Sequence, residues 1–174
     1  TNISVFDDGK LVATLCADIG GRLIQFGPWT NRVEGFIHGG EVATRFLDIT
    51  LEKDKSLSLG EVNNISQALA EALVSILRGR PNALAEALAL GNLVEDVAVE
   101  YVMFSGGVGR LYYEEAQIGD VATLTRFGDI GPALALGLKK VMADETIEVL
   151  KPDETIYATV IGAGVHTTEL SGST

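Results

Sequence analysis

The chain has 174 residues, and its 24 acidic and 13 basic side chains give a formal net charge of −11. This length fits one domain with a substantial core, and 47% hydrophobic with 21% charged residues is typical of a globular chain. Because polyphosphates and anionic membranes bind to basic surfaces, the charge argues against nucleic-acid and membrane partners. The single cysteine, Cys16, excludes an internal disulfide and fits a reducing, cytoplasmic compartment.

The N-terminal residues predict three short strands. An Asp-Gly pair at residues 8–9 separates two apolar, β-branched runs, which is a strong hairpin signal because the turn needs a positive φ. A third run, residues 22–26, ends at the Gly-Pro pair of residues 27–28, where a strand does not continue. Together the runs predict an antiparallel meander of three strands. Residues 28–50 are predicted to be irregular on account of their glycines, apart from a short strand at Phe36-Ile37.

Helical signals follow the first strands. Ser58 and Glu61 have capping-box spacing, and apolar residues recur every three or four positions as far as Leu77, with Gly79 as a stop. The remaining predicted elements are a helix over residues 83–90, a buried strand over 97–104, a helix over 131–141 and a strand over 155–161. This order of strands and helices predicts a single α/β domain over residues 1–174.

One segment carries the main candidate for a binding site. Met103-Phe104-Ser105-Gly106-Gly107-Val108 leads from a buried strand into two adjacent glycines. Bare backbone lets a ligand approach closely, and the first turn of a following helix presents free N–H groups to phosphate or ribose oxygens. The alternative is that the glycines only allow the strand to turn sharply into a helix.

Three blocks of the sequence together resemble one known family. They are residues 103–108 just described, Phe127-Gly128-Asp129-Ile130-Gly131-Pro132, and the run from Ala158 through Gly162-Ala163-Gly164 to Thr167. These blocks are similar to the ethanolamine ammonia-lyase reactivating factors, which belong to the actin-like ATPase superfamily. The hairpin at the start of the chain and the Ser-Gly-Gly turn before a helix also resemble the second half of an actin-like ATPase.

The resemblance implies an actin-like, ribonuclease H-like fold, with helices flanking a mixed sheet that opens with the three-strand meander. It implies an ATP-dependent, chaperone-like factor of the bacterial cytoplasm, associated with a microcompartment, that helps exchange damaged cobalamin on ethanolamine ammonia-lyase. The complete protein would bind ATP or ADP with Mg. In this chain the adenosine moiety would contact Ser105, Gly106, Gly107 and Gly109, and the capped helix 61–77 would be the far wall of the pocket.

The resemblance also implies that this chain is the C-terminal part of a longer protein. In the family, a phosphate loop of the type Asp-Ile-Gly-Gly-Gly-Thr precedes the first strand, so that loop would lie upstream of Thr1. We therefore expect no catalytic residue, no required cofactor and no ATP hydrolysis in this chain alone. The similar Asp18-Ile19-Gly20-Gly21 lies between two predicted strands and is followed by Arg22, which favours a structural turn.

Other functions stay open at this stage. The chain could be a partner-binding or assembly module without a working nucleotide site, whose strand edge at Thr1 favours pairing or homo-oligomers. A third alternative is that the chain is half of a sugar kinase, because sugar kinases share the actin-like fold. A metal site is not predicted, because His38 and His166 are far apart in sequence and no cysteine lies at ligand spacing. Cys16 is predicted to be a small buried hydrophobic residue.

Overall fold

A computed structural model describes residues 1–27, 29–93, 99–114 and 119–152. Its strands are β1 (Asn2–Asp7), β2 (Lys10–Cys16), β3 (Ile24–Phe26), β4 (Val33–Phe36), β5 (Tyr101–Val102) and β6 (Glu148–Val149). Its helices are α1 (His38–Phe46), α2 (Leu59–Leu77), α3 (Ala83–Leu88), α4 (Gly106–Tyr113), α5 (Val121–Leu124) and α6 (Gly131–Met142), with a 3-10 turn at Gly21–Leu23. The predicted strand 155–161 lies outside the described residues. The described part is therefore a mixed α/β structure.

The predicted hairpin is confirmed, but the predicted three-strand meander is wrong for the described residues. β1 and β2 pair antiparallel around Gly9, whose φ is 75°. β3 pairs with β4, so that Ile24 faces Phe36, and it makes no ladder with β2. The cause lies after β2, where the Asp18 N–H donates to the Leu88 carbonyl at 2.7 Å. This hydrogen bond joins the chain to the end of α3. The 3-10 turn that follows then changes the direction of the chain, so that β3 does not run beside β2.

The prediction of an irregular segment over residues 28–50 is wrong at α1, whereas the short strand predicted at Phe36-Ile37 overlaps the end of β4. Gly39 and Gly40 lie inside the first turn of α1 and do not end an element. A Cβ on Gly39 would lie 2.5 Å from the Asp18 carbonyl oxygen, and one on Gly40 would lie 2.6 Å from that of Leu23. These glycines are therefore needed because α1 packs closely on the chain that precedes β3.

Two helices form the centre of the core. α2 begins with the predicted capping box, in which the Glu61 N–H donates to the Ser58 hydroxyl and the Ser58 N–H donates to the Glu61 carboxylate. It ends before Gly79, whose φ is 67°. α6 begins with Pro132 in its first turn, packs along α2 and also contacts α4. Buried Leu, Ile and Val side chains from α2, α3, α6 and β3 fill the space between them.

The last described sheet consists of β5 and β6, which run parallel with Tyr101 opposite Glu148. Val102 and Val149 pack against the core, whereas Tyr101 is 55% exposed. The three sheets of the described residues each have two strands. The larger mixed sheet of an actin-like ATPase remains a prediction. Cys16 is only half-buried at the end of β2, contrary to the fully buried position predicted for it.

Candidate functional site

The Ser-Gly-Gly segment forms the turn between β5 and α4. Ser105 is the N-cap of α4 with extended backbone (φ −125°, ψ 173°), and its side chain makes no capping hydrogen bond. Gly106 follows with a φ of 78°, a conformation that costs a residue with a side chain about 1–2 kcal/mol. The first N–H groups of α4 have no partner within the helix, as at every helix start. The predicted strand-to-helix turn is thus confirmed at these positions.

The three glycines among the predicted site residues divide into two groups. A Cβ added to Gly106 or Gly107 would have no atom of the described chain within 4 Å, beyond its own neighbours and the helix backbone. A Cβ on Gly109 would lie 2.7 Å from the carbonyl carbon of Phe104 and 2.8 Å from its oxygen. Gly109 is therefore explained by packing inside the protein. Gly107 is not explained in that way, because its backbone faces open space.

Phe104, the residue before the turn, is held by three contacts from α4. Gly109 lies against its carbonyl group, and the ring of Tyr112 is 4.8 Å from its ring, centroid to centroid. Its N–H donates to the Tyr113 hydroxyl at 2.9 Å. Burial raises the pKa of both tyrosine hydroxyls. The sequence does not single out either tyrosine, because the role of Tyr113 depends on the pairing of β5 with β6.

Cationic side chains lie along α4. Arg110 is 3.6 Å from the Glu114 carboxylate and is itself 41% exposed. The Lys139 ammonium from α6 donates to the Glu114 carbonyl and lies 6.0 Å from the centre of the Tyr112 ring. Positive charge in a chain of net charge −11 is sparse, and here two cations lie on or beside the helix that follows the glycine turn. Both cations contact Glu114, the C-cap of α4, and the Glu114 carboxylate offsets the charge of Arg110, so these contacts stabilise the end of α4 opposite to the glycine turn.

The helix predicted as a far wall of the pocket lies mostly inside the protein. α2 packs against α1, α3 and α6, and α6 in turn packs against α4. Its buried residues include Val62, Ile65, Leu69 and Val74, which belong to the core. The surface of α2 that could face a ligand is therefore narrow, and its role as a wall of the pocket remains a prediction.

Two other glycine-containing segments, residues 18–21 and 127–132, pack against each other. A Cβ on Gly21 would lie 2.9 Å from the Gly131 α-carbon, and the Ile130 N–H donates to the Gly21 carbonyl at 3.1 Å. The Asp129 carboxylate accepts from the Gly131 N–H at 2.8 Å, and Asp129 directly precedes Ile130, the N-cap of α6. These contacts support a structural role for residues 18–21, as predicted. Gly162-Ala163-Gly164 and His166 lie outside the described residues.

The described residues offer no group of three or more His, Cys, Asp or Glu side chains that could hold a metal ion. Within the same part of the chain, no helix combines the length and the apolar character needed to cross a bilayer.

Comparison with known proteins gives the family. The family model described as "Ethanolamine utilisation protein EutA" matches residues 1–174. The chain belongs to this family. Two curated relatives, each named "Ethanolamine ammonia-lyase reactivase EutA", come from Salmonella typhimurium (32% identical, 100% of this chain) and Escherichia coli (34% identical, 99% of this chain). The chain spans 36% of the length of each of these EutA relatives. No solved structure matches it. The family predicted from the three sequence blocks is thus confirmed.

Proposed function

We propose that this chain is the part of an ethanolamine ammonia-lyase reactivating factor that holds the adenosine side of a nucleotide. Two relatives carry the name of a reactivase of that lyase. The observation that carries the proposal for the site is the open backbone at Gly106 and Gly107, where α4 begins. In the complete protein, this site would couple ATP binding to the exchange of damaged cobalamin on the lyase.

The chemistry follows from what a helix start can supply. Free N–H groups of the first turn of α4 would donate to ribose or phosphate oxygens, and the absence of a Cβ at Gly107 would let the ligand approach the backbone. Phosphoryl transfer also needs Mg and groups that surround the phosphates. We assign those groups to parts of the longer protein, so this chain alone is expected to bind nucleotide without hydrolysing it.

The test is nucleotide binding by calorimetry, with ADP and with ATP plus Mg. Gly107→Val should weaken binding at least tenfold, because the new side chain occupies the space above the turn. Gly60→Val is a matched control, since Gly60 is also the exposed second residue of a helix, and a Cβ there would lie 3.9 Å from its nearest contact, the Ser58 hydroxyl oxygen. If the unmodified chain binds neither nucleotide, or if both variants lose affinity equally, the proposed site is wrong.

A second candidate is a partner-binding module without a working nucleotide site. One observation favours it: Phe6 and Leu11, which face each other near the tip of the β1–β2 hairpin, are 62% and 53% exposed. Apolar side chains at such a position are typical of protein contact surfaces. The double variant Phe6→Ser, Leu11→Ser should then lose co-sedimentation with purified ethanolamine ammonia-lyase while keeping its nucleotide affinity. Unchanged co-sedimentation would eliminate the hairpin as the contact.

A further inference from the structure

The hydroxyl of Tyr113 occupies a defined position in the hydrogen-bond ladder between β5 and β6. Along this parallel pair, the Glu148 N–H donates to the Glu100 carbonyl and the Leu150 N–H donates to the Val102 carbonyl, both at 2.9 Å. In a parallel ladder the next bond would join the Phe104 N–H to the Leu150 carbonyl. The Tyr113 hydroxyl instead accepts from the Phe104 N–H at 2.9 Å and donates to the Leu150 carbonyl at 2.8 Å.

A tyrosine suits this position because a phenol is both a donor and an acceptor. It satisfies one N–H group and one carbonyl group that the ladder would otherwise pair directly. The Tyr113 hydroxyl oxygen thus lies between the two strands at Phe104, two residues before α4 begins. A phenol is protonated at neutral pH, so the Tyr113 hydroxyl can donate to the Leu150 carbonyl.

We propose that Tyr113 is a positioning residue for the Ser105-Gly106-Gly107 turn, an inference that rests on the nucleotide site proposed above. Phe104 immediately precedes that turn, and its N–H is the backbone group that Tyr113 fixes. Without the hydroxyl, the Phe104 N–H either bonds directly to the Leu150 carbonyl, which draws the turn towards β6, or is left without an acceptor. Both changes displace the N–H groups at the start of α4.

Tyr113→Phe tests this inference, with Tyr112→Phe as the matched control from the neighbouring position. We expect the Phe104 amide signal to shift in the NMR spectrum of Tyr113→Phe, and the affinity for ADP to fall about tenfold. Tyr112→Phe keeps the ring that contacts Phe104, so the amide signal should move far less and the affinity for ADP should stay unchanged. A shifted amide with unaltered ADP affinity would overturn the positioning role, and an unshifted amide would overturn the inserted hydroxyl itself.

Two further measurements separate the possible failures. In one outcome, the unmodified chain fails to bind ADP while the Phe104 amide signal still shifts in Tyr113→Phe. That result would show that the inserted hydroxyl is correct but that the nucleotide site, and with it the positioning role, is wrong. If Tyr113→Phe does not fold, the unmodified chain still decides the geometry. In its NMR spectrum, the ring protons of Tyr113 beside the hydroxyl should show a cross-peak to the Phe104 amide proton. Absence of that signal would contradict the inserted hydroxyl.

Discussion

Gly137 of α6 lies directly against the backbone of Ser66 in α2, and a Cβ on Gly137 would be 2.9 Å from the Ser66 carbonyl oxygen. This contact lets the two central helices pack closely along much of their length. Gly in a helix costs about 1 kcal/mol relative to Ala, so the close packing must offset that cost. The stability of the whole domain therefore depends on a position without a side chain.

Gly137→Ala should lower the free energy of unfolding by about 1–3 kcal/mol, because the added methyl group forces α2 and α6 apart. Urea unfolding followed by circular dichroism measures the change. Gly60→Ala, in the exposed first turn of α2, is the control and should be neutral or stabilising by up to about 1 kcal/mol. Equal stability of Gly137→Ala and the unmodified chain would contradict the packing of these helices.

Ser66→Ala should leave stability unchanged or raise it slightly. The Ser66 hydroxyl is buried and has no hydrogen-bond partner among the described residues. Removing a buried polar group that lacks a partner removes a desolvation cost of about 1–3 kcal/mol and leaves no other group unpaired. Ser75→Ala is the contrasting variant, because the Ser75 hydroxyl donates to the Ala72 carbonyl at 2.7 Å and accepts from the Asn82 N–H. The midpoint of thermal unfolding should fall for Ser75→Ala but not for Ser66→Ala.

The capping box predicts how stability depends on pH. Hydrogen bonds from Ser58 lower the pKa of Glu61 below its ordinary value, with Lys55 contributing less. A carboxyl group whose pKa is lower in the folded state stabilises the fold above its unfolded pKa, and that contribution is lost as the pH falls through the folded value. Unfolding measured from pH 7 to well below pH 4.5, the ordinary pKa of this carboxyl group, should show this loss. Glu61→Gln should show a smaller dependence, and an unchanged slope would contradict the charged capping box.

Two of the three glycines of α4, Gly107 and Gly109, should respond differently to the same substitution. Gly109→Ala should destabilise the chain by about 1–3 kcal/mol, because its methyl group meets the Phe104 backbone. Gly107→Ala adds a methyl group in open space and should keep or slightly raise the midpoint of thermal unfolding. Equal melting temperatures for the two variants would contradict the different roles assigned to these residues.

The ion pair between Arg78 and Glu145 should contribute modestly and depend on salt. The Arg78 guanidinium donates to both carboxylate oxygens of Glu145, and this pairing lowers the pKa of Glu145. Arg78 is 50% exposed but the Glu145 side chain is only 10% exposed, so Glu145→Gln should cost about 1 kcal/mol, and about 1 M NaCl should reduce the difference only in part. Arg32 and Asp54 form an ion pair whose side chains are both more than 60% exposed. Asp54→Asn should therefore leave the free energy of unfolding almost unchanged.

Helix ends were predictable from sequence where the residues that define them are close together in the chain. The capping box of Ser58 and Glu61 and the stop at Gly79 both depend on neighbouring residues, so α2 was placed within two residues of its observed ends. The pairing of β3 was not predictable in this way, because it depends on contacts made by Asp18 with Leu88, which is distant in sequence.

Glycine was the hardest residue to interpret from sequence. The same lack of a side chain serves a close helix contact at Gly40, a packing contact at Gly109 and open backbone at Gly107. Sequence identifies the residue but not its surroundings, so α1 was missed and Gly109 was grouped with Gly107. Tyr113 was missed because its role depends on an interrupted ladder between two strands, which only three-dimensional structure reveals.

The β1–β2 hairpin also affects how this protein behaves at high concentration. Phe6, Leu11 and Val12 are all more than half exposed, and β1 and β2 form a two-stranded sheet among the described residues. Unpaired strand edges with apolar side chains favour association between copies. At neutral pH the net charge of −11 opposes that association, but the repulsion weakens as carboxylates become protonated. Purification and storage should therefore avoid mildly acidic buffers, where precipitation would begin at the hairpins rather than by unfolding.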